Sequence, residues 1–123
     1  MIDDLFISLM LSPVLIPQGL YTKKNTLKLD EPEGDRMGES GTGTPLKLLI
    51  LGDSAAAGVG VSNQTHALSG QLVRRLTDNY QVQWRLEAES GVNTSDVITK
   101  LGKLQKFETD IVLISLGVND VTS

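Results

Sequence analysis

The stretch Leu46-Lys-Leu-Leu-Ile-Leu-Gly52-Asp53-Ser54-Ala-Ala-Ala-Gly58-Val-Gly60 constrains this chain more than any other. Its apolar half is nearly continuous, short, and ends at Gly52. Such a run, bounded by glycine and polar residues, fits a strand buried on both faces, as in a parallel α/β sheet. Asp53-Ser54 follows at once, and then only small side chains as far as Gly60. A hydroxyl placed where a central strand leaves the sheet sits in the crevice where open α/β folds put their ligands. Nothing bulky surrounds it. Ser54 is therefore the candidate nucleophile.

Downstream, the hydrophobic period changes twice. His66 to Thr77 places Leu68, Leu72, Val73 and Leu76 at helical spacing, with Asn63 or Thr65 as N-cap. Gln81 to Glu87 alternates Val82, Trp84 and Leu86 against Gln83, Arg85 and Glu87, which predicts a strand with one wet face at a sheet edge. Ser90-Gly91-Val92-Asn93 is a turn. A second helix carries Val97, Ile98, Leu101 and Leu104, capped by Thr94 or Ser95 and with Asp96 in its first turn. Ile111 to Leu116 is a further buried run, ending at Gly117-Val118-Asn119-Asp120. The order β-α-β-α-β with right-handed crossovers predicts a parallel sheet of flavodoxin-like strand order 2-1-3, with helices in layers on its two sides.

Ahead of this domain, residues 1–29 form an apolar arm. Leu5 to Leu20 is strongly apolar but interrupted by Pro13 and Pro17, and Asp3 and Asp4 stand where a secretory leader carries basic residues. The arm is expected to pack on the domain or a partner, with weak membrane association as the sharper alternative. In that case Lys23, Lys24 and Lys28 mark the cytoplasmic side. Residues 30–45 combine four glycines and two prolines with acidic side chains and hardly an apolar one. Too little surface can be buried there to offset ordering entropy, so a flexible linker is expected and the folded domain spans 46–123.

Composition removes several function classes. The net charge is −4 and no block of Lys or Arg tracks phosphates, so nucleic acid is not expected as a partner. There is no cysteine, which excludes thiolate metal sites, disulfide scaffolds and a cysteine nucleophile.

The three predicted strands end in similar cargo: Gly52-Asp53-Ser54, Ser90-Gly91 and Gly117-Val118-Asn119-Asp120. In a parallel sheet these ends share one rim. A hydroxyl, a glycine amide and a carboxamide converging there suit acyl transfer, which needs donors aimed at the oxygen that becomes negative. Each has a bland reading as well. Asp53 and Ser54 cap helices, Gly91 serves a turn, and Asn119-Asp120 close a strand. Together, and in this order, the three resemble the motifs of the SGNH (GDSL-type) hydrolase family over Leu46 to Ser123. Ala55 departs from the leucine often found after that family's first motif.

The resemblance implies a serine-dependent hydrolase of acyl esters, acting on small-molecule, lipid or O-acetyl carbohydrate substrates without metal or cofactor. It implies Ser54 as nucleophile, and an oxyanion hole of the Ser54 and Gly91 N–H groups with the Asn119 side chain. Gly52, Asp53, Gly117 and Asp120 support it. The family's Asp-x-x-His, which supplies the general base, has no match in the sequence. A serine hydroxyl is a weak nucleophile without one. The only histidine, His66, falls in a polar junction where a solvated role is expected, so this stretch reads as the amino-terminal part of a hydrolase, inactive by itself. Two rivals remain: a Mg²⁺-dependent phosphoryl-transfer domain using Asp53 and Asp120, and a non-catalytic binding module on the same fold. A cytoplasmic location, with the arm touching membrane as the variant, completes the expectations.

Overall fold

A computed structural model describes residues 2–122. It contains α1 (Ile2–Asn25), β1 (Met37–Ser40), β2 (Thr44–Gly52), α2 (Ser54–Ala57), a 3₁₀ turn (Gln64–His66), α3 (Leu68–Leu76), β3 (Tyr80–Ala88), α4 (Thr94–Leu101), β4 (Ile111–Ser115) and α5 (Val118–Thr122). The strands form one sheet in the order β1-β3-β2-β4. β2 pairs in parallel with β3 on one side and β4 on the other, while β1 pairs antiparallel with β3. The chain is α/β, and its sheet is mixed rather than wholly parallel.

β2 is the centre because its side chains can be buried on both faces. Leu48, Leu49, Ile50 and Leu51 are all buried. Alternation sends Leu48 and Ile50 to one face, where they meet Val82 and Leu86 of β3 and Leu72, Val73 and Leu76 of α3. α3 is amphipathic, so its apolar stripe closes this core and its arginines stay wet. Leu51 points to the opposite face, where it lines a small cavity with Val97, Lys100 and Leu101 of the α4 segment. There Lys100 lies 3.6 Å from Glu87 and 3.7 Å from Glu89. Helices therefore flank the sheet on both sides. α4 is capped by Asn93 rather than by Thr94 or Ser95, with Asp96 completing a capping box. Asn63 caps the 3₁₀ turn, and α3 starts from Ala67 without a side-chain cap.

The expected linker is the main correction. Residues 31–40 lie along the domain as a strap. Glu33 bridges to the 62–64 segment through Glu33 N–H to Ser62 O (3.3 Å) and Gln64 N–H to Glu33 O (2.7 Å). Pro32 is buried, and a side-chain carbon at Gly58 would come within 3.0 Å of its ring. Arg36 O accepts the Leu86 N–H at 2.6 Å, and β1 then pairs residue by residue with Val82–Arg85. Composition failed here because hydrogen bonds, not apolar area, hold the strap. The same finding corrects β3, which is an inner strand. Its alternation records one partly open face, while β1 occupies its outer edge.

The apolar arm is the second correction. α1 is a single helix through both prolines, and none of its described residues is buried. It does not pack on the domain, and it is long and apolar enough to cross a membrane.

The β1 amides that face β3 are expected to exchange slowly. Limited proteolysis should cut within residues 26–30 before it cuts within 37–40. Rapid exchange of those β1 amides would restore the linker.

Candidate active site

Pairing register sets the geometry of the site. Gly52 lies opposite Ala88 of β3 and Ser115 of β4, so the three parallel strands end level. Two further bonds stitch those ends: Asp53 N–H to Ser115 O (3.1 Å) and Glu89 N–H to Gly52 O (3.2 Å). Ser54, Ser90-Gly91 and Gly117–Asp120 consequently emerge on one rim. Gly52 has no room for a larger residue. An added Cβ would sit 2.4 Å from Ala56 Cβ and 2.5 Å from Ser115 O.

Asp53 is buried and acts as the N-cap of α2, its Oδ1 accepting the Ala55 N–H at 3.0 Å. Its carboxylate is thus spent on turning the chain from strand into helix. Ser54, the first residue of α2, is half-buried. The helix is a single turn of alanines, closed when Gly58 enters the left-handed region at φ 89. The three residues after Ser54 in α2 are alanines.

Gly91 and Gly117 take φ values of 81 and 118, which side chains other than glycine rarely tolerate. No atom would lie within 4 Å of a Cβ at either position, so backbone conformation rather than crowding explains both glycines. Asn119 donates its Nδ2–H to Val92 O at 2.9 Å, tying the third motif to the turn that carries the second. Asp120 accepts from Thr94 twice, the hydroxyl at 2.6 Å and the N–H at 3.0 Å. Those bonds, the hydroxyl's first, hold its carboxyl below the ordinary aspartate value. Asp53 and Asp120 are therefore both engaged in hydrogen bonds.

His66 lies elsewhere. It is exposed and lines a groove of about 640 Å³ with Trp84, Arg74 and Asp35. Among the described residues, no hydrogen bond joins it to Ser54.

Sequence reasoning missed Glu31 and Arg36. One Glu31 oxygen accepts the Ser90 N–H at 2.6 Å and the other pairs with Arg36, whose second nitrogen donates to Ala88 O at 2.6 Å. This clamp fixes both sides of the turn leading into Gly91. Burial acts to raise the Glu31 pKa, but the Ser90 N–H bond and the hydrogen bond and charge of Arg36 outweigh it. An acidic residue in a glycine-rich stretch gave no signal of such a partner.

Two outcomes follow. Gly52→Ala should lower stability by about 1–3 kcal/mol in urea titration, because neither the Ser115 backbone nor Ala56 can yield freely. An unchanged midpoint would mean that the rim has slack. A depressed folded-state pKa contributes stability that is present above the unfolded value and lost as pH falls through the folded one. The Ser90 and Thr94 amide resonances should therefore shift only below the ordinary carboxylate range, and Ser90 should lose that transition in Glu31→Gln. Titration of Ser90 at the ordinary glutamate value would remove the clamp.

A model of the GDSL-like lipase/acylhydrolase family matches residues 50–123, more than half of the chain and all of the rim. Comparison with curated proteins and with solved structures gave no match. With its motifs in order on the ends of adjacent parallel strands, this chain belongs to the GDSL-like lipase/acylhydrolase family.

Proposed function

We propose that the rim carries serine-dependent hydrolysis of acyl esters. The observation that supports this most is the level ending of β2, β3 and β4, which brings Ser54, Gly91 and Asn119 to one edge. In this reading the Ser54 Oγ attacks the ester carbonyl. Its proton passes to a base, and the carbonyl oxygen gathers charge before the alcohol leaves and water releases the acyl group. The Ser54 and Gly91 N–H groups and the Asn119 amide receive that charge. Asn119 suits the part because its bond to Val92 O fixes the plane of the amide, and preorganised donors are what stabilise an oxyanion.

Asp53 and Asp120 take positioning parts. Their carboxylates engage the Ala55 and Thr94 N–H groups, which favours caps and braces over metal ligands. The general base is not assigned to His66, because its groove lies along α3 and the strap rather than at the rim.

Supplied with a base, whether by further sequence or by added imidazole, the protein should hydrolyse a short ester such as p-nitrophenyl acetate above a Ser54→Ala control. Asn119→Ala should lower that excess on the order of 100-fold, and EDTA should leave it unchanged. Residues 1–123 without added base should match the control. Turnover that survives Ser54→Ala or requires Mg²⁺ would sink the assignment.

A further inference from the structure

We infer that α1 spans a phospholipid bilayer with its carboxyl end on the cytoplasmic side, and that the strap holds the Ser54 rim close to that membrane surface. The protein leaves its longest helix uncovered. α1 runs for 24 residues, and its apolar side chains surround the axis instead of gathering on one face. A helix apolar all round is stable only inside a large core or a membrane. No core is offered: Leu5, Phe6, Leu9, Met10, Val14, Leu15 and Ile16 are each at least half exposed. A helix lying flat in the headgroup layer would need a polar face that this one lacks.

Length and chemistry agree. Leu5–Thr22 carries no charged residue and measures about 27 Å at about 1.5 Å per residue, close to the roughly 30 Å hydrocarbon layer. Pro13 removes the N–H that would bond to Leu9 O, an expensive loss in lipid. The Ser12 hydroxyl donates to that same carbonyl at 2.8 Å. Hydroxyl repair of a proline break is how spanning helices keep their backbone satisfied. Lys23, Lys24 and Lys28 follow the apolar stretch, while Asp3 and Asp4 precede it. Basic residues stay on the cytoplasmic side, where anionic headgroups also attract them. The folded domain then lies in the cytoplasm.

The strap places the rim. Glu31 bonds to Ser90 on the turn beside Gly91. Between Asn25 and Glu31 the chain can reach about 20 Å at most. The opposite end of the sheet, where Thr44 pairs with Tyr80, is about 25 Å farther from the rim at about 3.3 Å per residue. An anchored helix therefore brings the rim, not the far end, to the lipid surface. Esters carried in or on the leaflet come within reach of Ser54 if the hydrolase reading holds.

The test reads position rather than turnover, so it stands or falls separately from the hydrolase reading. The full chain expressed in bacteria should stay in the membrane pellet through an alkaline carbonate wash. Leu11→Lys/Leu15→Lys should release it with the circular dichroism of the domain unchanged, since none of the described residues of α1 is buried. The natural chain has no cysteine, so each introduced thiol reports alone. An impermeant maleimide on spheroplasts should label Asp3→Cys at once and Lys103→Cys only after permeabilisation. A fluorophore on Val118→Cys, at the rim, should be quenched by headgroup nitroxides several-fold more than one on Asp78→Cys. A soluble chain, a mature protein lacking α1, reversed labelling, or equal quenching at the two sites would each overturn the inference.

Discussion

Parallel pairing of β2 with β3 and β4 is the constraint on which the rest depends. The three strands could be hydrogen-bonded in other registers, but only one sets Gly52, Ala88 and Ser115 side by side. A slip by one residue would turn Leu48 and Ile50 out of the α3 core and bring Lys47 in. Core packing and the level rim are therefore enforced by the same side chains. The loops that carry Ser54, Gly91 and Asn119 need no separate device to bring them together. They need only short exits, which the glycines at 91 and 117 and the Asp53 cap provide.

Much of this was legible because it rests on local signals. Leu48 to Leu51 announce a doubly buried strand, Leu68, Leu72, Val73 and Leu76 an amphipathic helix, and each motif stands directly after its strand. Caps were legible only to within a few residues. Asn93 wins over Thr94 because Asp96 can answer it across one turn, and Thr94 is left to hold Asp120 instead. What stayed hidden depends on long-range partners. Nothing in Glu31 or Arg36 names Ser90 or Ala88, and nothing in Met37–Ser40 names β3. A stretch poor in apolar side chains looked unable to order itself, which holds only when it must do so alone.

The two ends of the sheet show how an edge is managed. β3 is sheltered by β1, a strand of four residues that includes a glycine and supplies little besides backbone groups. β4 has β2 on one side and, among the described residues, no strand on the other, and Ile111, Val112 and Ile114 are each more than two-fifths exposed. Such an edge is a template for pairing with further backbone. The polar, glycine-bearing β1 thus ends the sheet on one side and, among the described residues, the apolar β4 ends it on the other.

The clamp also imposes an order in time. Glu31 leaves the ribosome well before Ser90, and the bond between them closes a loop of 59 residues; Arg36 and Ala88 close one of 52. Contacts between positions so distant in sequence form late, after the local helices and hairpins of a chain have settled. Until the sheet exists, the strap has nothing to dock on. The turn at Ser90-Gly91 is therefore held by contacts that need the sheet in place, and a chain that has merely collapsed carries all of its motifs without a finished rim.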